Sequence, residues 1–367
     1  MLTRRRFAMA AAATASASVL SPAVLRAQSL PKMRVGLASG VNDAQVAFQS
    51  IGMHPKLNWY KDEGVELEIV NTGQTSTPLQ LLSTGQIEFA TIAPGTMLPP
   101  FADNPNLGVT CVYMWMPRIH NYAVVKPDSD IKTLVELKGK KIGIRGPGDS
   151  GYFFLQAAFK EIGIDPQKDV EWVSVSAGGP AGQALHNGTV SALAIWDVEY
   201  TRIEIAGFKL RPIPNLPSAN NLFGNSYAVP VAAFNKDKAR YAGLFRAIAK
   251  GQIFTALNSR AAVLLHWDLY PESKPKGKSE QEAMDDMLKI LATRRDKWFQ
   301  PDSSSDKRMG ASRKEQWEAS VKFMGQLNPK VSEKITDVSK LYNNDIIDDA
   351  NKFDRAAFEQ FAKDFKV

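Results

Sequence analysis

The sequence predicts an α/β protein of two similar lobes, each a mostly parallel sheet flanked by helices, followed by a helical C-terminal region. Three observations carry this. Short apolar runs alternate with helical patterns from residue 33 onward, the order of βαβ units. A motif recurs: Leu82-x-x-Gly85-x-Ile87, leading into a strand through Ile92, reappears as Leu185-x-x-Gly188-x-Val190 before a strand through Ile195, each match displaced by 103 residues. Beyond Asn225 the alternation stops and, after one more apolar strand, helical patterns run to the end. At 367 residues, 44% hydrophobic and 23% charged, the chain is long enough for two domains with sizeable cores.

The first series reads as a strand at 33–38, the turn Ser39-Gly40, a helix at 42–53, a strand at 65–70 and a polar loop at 71–77. Pro78 suits the first turn of a helix over 78–82, capped by Thr75, Ser76 or Thr77. Strands at 87–92 and 109–114 follow. The second series has a strand at 141–144, the loop Gly146-Pro147-Gly148-Asp149-Ser150-Gly151, and a helix at 152–162 with Phe154, Leu155, Ala158 and Ile162 apolar. A strand at 170–175, a Gly-rich loop at 177–180, a helix through Leu185 and a strand at 190–195 complete it. Gly85 and Gly188 serve as helix stops, so the recurrence has a physical reason without requiring duplication. The last strand spans 226–234, and helices are expected at 236–249, 252–267, 280–298, 313–323 and 355–366. The polar connections 271–278 and 300–312 read as surface loops.

Residues 1–27 form a basic head (Arg4, Arg5, Arg6), a short apolar stretch at 8–20 and the cleavage-like Leu25-Arg26-Ala27, which together read as a signal peptide removed after Ala27. Thr3-Arg4-Arg5-Arg6-Phe7 is similar to the twin-arginine export signature, with an ordinary secretion signal as the alternative. The apolar stretch is too short to span a bilayer. The leader carries four arginines and no acid, so its loss removes most of the formal charge of +7 and with it the case for a nucleic-acid partner. The lone Cys111 cannot form an internal bridge. His54, His120, His186 and His266 are spread far apart, which argues against a zinc site, and no cofactor or metal is expected.

The segments Leu137-Lys138-Gly139-Lys140-Lys141-Ile142-Gly143-Ile144, Gly163-Ile164-Asp165-Pro166-x-x-Asp169-Val170 and Ala184-Leu185-x-x-Gly188-x-Val190-x-Ala192, together with Leu341-Tyr342-Asn343-Asn344 and Ala350-Asn351-Lys352-Phe353-Asp354, stand in a telling order. In that order and spacing the chain resembles the periplasmic solute-binding proteins of the nitrate/sulfonate/taurine type, also called the thiamine-pyrimidine-precursor-like group. The resemblance covers essentially all residues after the leader. It implies a two-lobed periplasmic binding protein fold of type II, with 32–119 plus 234–367 as lobe one, 127–225 as lobe two, and 120–126 and 226–233 as hinge strands. It also implies a monomer with no catalytic residues, located in the periplasm, that captures a small-molecule ligand for an ABC transporter permease and ATPase at the inner membrane.

In open α/β sheets ligands sit beyond the carboxyl ends of the strands, where helix N-termini favour anions. This points to Ser39, Gly40 and Asn42, to the run Gln74-Thr75-Ser76-Thr77, and to Asp149, Ser150 and Gly151. Ser150, Thr77 and Asn42 are equally suited to capping their helices. The glycine loop at 146–151 lacks the Gly-Lys-Ser/Thr ending of a phosphate loop, so an NTPase is not expected. Asp149 either faces solvent or meets a donor on the ligand. By the resemblance, Trp196 and Asp197 occupy the family's aromatic-then-acid position, although Val198 stands where a proline is common. Tyr113-Met114-Trp115-Met116-Pro117-Arg118-Ile119-His120 should reach the cleft floor, with Trp115 flanking a ring and Arg118 clamping a carboxylate. The alternative makes Met114 and Met116 core fillers and Arg118 a surface charge. The expected ligand is an organic anion, either an aromatic or heteroaromatic acid or a sulfonate. An exported enzyme on the related pyrimidine-precursor-synthase-like fold and a periplasmic sensor subunit are the other function classes; no Ser/His/Asp or Cys/His constellation supports the enzyme.

Overall fold

The computed structural model describes residues 30–39 and 42–367, so the leader and Gly40 lie outside the described residues. Among the described residues ten strands form two five-stranded sheets. The first contains β1 (Lys32–Leu37), β2 (Glu66–Asn71), β3 (Phe89–Ile92), β4 (Val109–Met116) and, returning from far along the chain, β10 (Asn225–Pro230). The second contains β5 (Ala123–Val125), β6 (Lys141–Ile144), β7 (Glu171–Ser174), β8 (Ala192–Ala194) and β9 (Arg211–Pro212). The orders are β2-β1-β3-β10-β4 and β7-β6-β8-β5-β9.

The two sheets are built alike. In the first, β1 pairs in parallel with β2 (Val35 opposite Ile69) and β3 (Val35 opposite Phe89), and β10 runs antiparallel between β3 and β4. In the second, β6 pairs in parallel with β7 and β8, and β5 runs antiparallel between β8 and β9. Each sheet is therefore mostly parallel with one reversed strand. The recurring motif falls at the same place in both: Gly85 (φ 69°) and Gly188 (φ 75°) adopt the left-handed conformation that ends a helix before β3 and β8. The chain crosses between sheets after Met116 and again before Asn225, so β5 and β10 are interior members of their sheets as well as neighbours of the crossings.

Strand β4 is buried at all eight positions because both faces are covered, Tyr113, Trp115 and Met116 in one core cluster and Val109, Cys111 and Met114 in the other. Each cluster draws on both sheets: Val35 with Leu193 in one, Ala90 with Ile142 in the other. C-terminal helices complete this continuity. The helix Glu280–Arg295 packs on Asp197–Ile205 of the second lobe and on Ala44–Val46 of the first, while Lys314–Leu327 packs on Ser150–Glu161 and Pro94–Asp103.

Two expected elements differ. The helix expected to stop at 249 runs unbroken as Lys238–Leu257. Gly251 is not a stop: a Cβ there would lie 1.8 Å from the Phe48 carbonyl oxygen, so glycine permits close approach. The break comes at Asn258, whose side chain accepts from Ala261 N–H and caps Ser259–Leu269. The strand expected over 226–234 ends at Pro230, where pairing with Val109 finishes, and Val231–Lys236 turns helical. Among the described residues no helix is long and apolar enough to cross a membrane.

Candidate ligand-binding cleft

A cavity opens where strand ends of the two lobes meet. Leu37, Ala38 and Ser39 at the end of β1, Thr91 of β3 and Trp115 of β4 face Ser150, which starts the helix after β6, and Trp196, which follows β8. It contains about 490 Å³ of space between atoms, mouth included, of which about 50 Å³ admits the centre of a water molecule.

One wall is aromatic. The Trp115 ring stacks at 5.2 Å from Phe48 and 5.9 Å from Tyr227, and its Nε1–H donates to Thr91 Oγ1 at 2.9 Å, so its orientation is fixed. On the second lobe the Arg145 guanidinium lies 4.5 Å from the Trp196 ring centroid. The remaining lining is mostly neutral and polar. Gln45 donates to Ser39 Oγ at 2.6 Å, while Gln49 donates to the Tyr227 hydroxyl and leaves its Oε1 buried without a hydrogen-bond partner among the described residues.

The charges fall into two groups. The fully buried Asp197 is ion-paired with Arg294 Nη2 at Oδ1 and with Lys297 Nζ at Oδ2, each at 2.9 Å. Burial opposes its charge, yet Arg294 and Lys297 together hold the carboxyl below its ordinary value. One carboxylate against two cations leaves this cluster positive, and of the three only Arg294 lines the cavity. His120 lies beside it; burial first, then Arg294, pushes the imidazole down to about 3, with Asp197 opposing, so it is neutral. The second group joins the lobes. Arg202 bonds Asp43 Oδ2 at 2.6 Å and Glu199 at 2.6 Å, while Arg145 stands 3.7 Å from both Glu199 and Asp149 and donates to the Gly73 carbonyl. Burial raises the Asp149 carboxyl despite Arg145.

Thr75 joins the lobes by a different device. Its hydroxyl accepts from Ser150 N–H at 2.9 Å and donates to Gly148 O at 3.0 Å, with Asp149 Oδ1 at 3.2 Å. A residue of the first lobe thus supplies a cap for the helix Ser150–Glu161, for which Asp149 makes no side-chain cap bond.

Ser39, Trp115, Ser150 and Trp196 line the cavity. Gly40 lies outside the described residues, and the other expected residues do not line the cavity. Arg118 donates to the carbonyls of Phe299 and Gln300, which turns its guanidinium away from a carboxylate clamp. Asp197 is enclosed by Arg294 and Lys297 and positions them. Asp149 faces neither solvent nor the cavity but Thr75 and Arg145. Gly151 is a packing position: a Cβ would lie 2.3 Å from Ile195 O. Gln74 and Ser76 flank Gly148, Thr77 begins its helix, and Asn42 is half-buried with Oδ1 unpartnered among the described residues. Thr75, inside the expected run 74–77, also lines the cavity, and the polar lining residues absent from the expectation include His120 and Arg294. His120 ends the segment 113–120 expected at the cleft floor, whereas Arg294 arrives on a distant helix.

Among solved structures the fold is similar to a protein from Bordetella bronchiseptica RB50 (TM-score 0.66, 17% identity, covering 88% of this chain and 97% of that one). It is also similar to the periplasmic aliphatic sulphonate binding protein SsuA from Escherichia coli (0.64, 18%, 85% and 92%) and to the alkanesulfonate-binding protein SsuA from Xanthomonas axonopodis pv. citri bound to MOPS (0.60, 15%, 87% and 97%). No curated protein matches the sequence. Residues 48–262, more than half of the chain, match the NMT1/THI5-like family, and with the two-sheet architecture around an interlobe cavity this chain belongs to that family.

Proposed function

We propose that the protein is a periplasmic solute-binding protein that captures a small organic anion, an aromatic or heteroaromatic acid or a sulfonate, between its lobes and delivers it to an ABC importer. The observation that carries the anion is Arg294 on the wall of an aromatic-sided cavity, where it and Lys297 behind it outnumber the one buried carboxylate, Asp197, that they pair with. Low dielectric makes that surplus positive charge effective. Trp115 and Trp196 offer flat apolar surface to the rest of the molecule. The sulfonate-binding neighbours support the class of ligand by their fold alone. In this reading lobe one (32–119 with 234–367) and lobe two (127–225) rotate as bodies about 120–126 and 226–233, and the protein works as an exported monomer after loss of 1–27.

A thermal-shift screen of the protein lacking residues 1–27 against inorganic anions, alkanesulfonates, aromatic acids and uncharged aromatic amides tests the proposal. Organic acids should raise the melting temperature, ring-bearing ones most. A response confined to uncharged compounds or to inorganic anions would overturn it.

A further inference from the structure

The cleft is lined by a buried imidazole whose Nδ1 has no hydrogen-bond partner among the described residues. His120 is 3% exposed and lines the cavity. Its carbonyl accepts from Asp197 N–H at 3.1 Å, but Nδ1 is buried without a hydrogen-bond partner among the described residues. A Cβ on Gly224 would lie 2.7 Å from that nitrogen, so backbone closes this side of the ring. A neutral imidazole carries one donor and one acceptor, and with Nδ1 closed in, Nε2 is the nitrogen left to meet a partner in the cavity that the ring lines.

The charged groups around it come from three elements. Arg294 and Lys297 belong to the end of Glu280–Arg295 and the turn after it, and Asp197 begins the helix Asp197–Ile205. Arg118, two residues away, is engaged by carbonyls at 299 and 300, and the Tyr122 phenol, raised by burial and then by Asp197, stays neutral. The surroundings are therefore positive. They resist a proton on His120 until a negative charge arrives.

We propose that His120 is a ligand contact that senses charge: the acid group docks against His120 and Arg294, and the imidazole takes one proton from solvent as it does so. This rests on the anion reading above. An opposite charge at close range raises a titrating group by about 1–3 units. From a starting value of about 3, a rise of two to three units makes binding about two- to tenfold tighter at pH 5 than at pH 8.

The test uses benzenesulfonate and 1-butanesulfonate, whose charge is constant across this range, titrated calorimetrically into the protein lacking residues 1–27 at pH 5 and pH 8 in buffers of different ionisation enthalpy. Affinity should rise toward pH 5 with measurable proton uptake. H120Q, which keeps a hydrogen-bonding side chain, should still bind at pH 8 but lose both the acid-side gain and the uptake. D149N, run alongside because Asp149 also titrates above its ordinary range, should retain them. Sulfonate binding that is indifferent to pH, or a pH dependence unchanged in H120Q, overturns the role of His120 and leaves the anion reading standing. Failure of both sulfonates and of benzoate to bind at any pH overturns the anion reading and this inference together.

Discussion

Thr75→Val keeps the side-chain shape and removes the hydroxyl that caps a helix of the opposite lobe. The wild-type oxygen accepts from Ser150 N–H at 2.9 Å and donates to Gly148 O at 3.0 Å, and both partners are in the second lobe. Loss of an N-cap hydroxyl costs about 0.5–2 kcal/mol, and stranding the Ser150 N–H at a buried position brings the total to about 1–3 kcal/mol. Because these bonds exist only while the lobes touch, the cost falls on closure, a five- to 150-fold shift toward open forms at about 1–3 kcal/mol. Fluorescence energy transfer between dyes on K61C and V135C reads that shift. Both positions are exposed and lie in different lobes, and the native Cys111 is buried from labelling. The variant should show a smaller closed fraction at a given ligand concentration, with thermal stability nearly unchanged. A closed fraction equal to that of the wild type would refute the interlobe cap.

Three other outcomes follow from the same geometry. R118A should leave ligand affinity within about twofold because its guanidinium serves main-chain carbonyls, whereas W196A and R294Q should each cost about 1–3 kcal/mol by calorimetry; the reverse order would exchange their roles. G151A should destabilise the fold by about 1–3 kcal/mol in urea, since its Cβ would meet the Ile195 and Ala194 carbonyls at 2.3 and 2.7 Å, and an unchanged midpoint would contradict that packing. Burial holds His120 at about 3 and His266 at about 4, below the unfolded value of about 6.5, so the unfolded chain binds more protons between these limits. Stability is then full above about pH 6.5 and falls on acidification, by about 2 kcal/mol for each histidine at pH 5; Asp149, raised by burial, works in the opposite direction. Urea midpoints equal at pH 7.5 and pH 5 would contradict the sign.

The architecture was legible because it is written in local chemistry. Alternating apolar runs and the stops at Gly85 and Gly188 need only neighbouring residues to act, and both glycines adopt the positive φ that this role demands. Strand direction is a property of the assembled sheet, so the reversal of β5 and β10 left no local mark. The same division runs through the cleft. Trp115 near the end of β4 and Trp196 just after β8 line the cavity from positions that neighbouring residues mark, but Arg294 sits in an ordinary helical pattern, and only tertiary packing carries it 97 residues back to Asp197. Thr75 was singled out with Ser76 and Thr77 as a cap for its own helix. Its hydroxyl instead caps the helix across the cleft, which no reading confined to one segment could assign.

The most direct test of the account is a crystal structure of the protein with the strongest organic acid from the thermal-shift screen. The account predicts the ligand between Trp115 and Trp196, with its acid group within hydrogen-bonding distance of Arg294 and His120. An acid group bound away from Arg294, or a ligand seated outside the interlobe cavity, would contradict it.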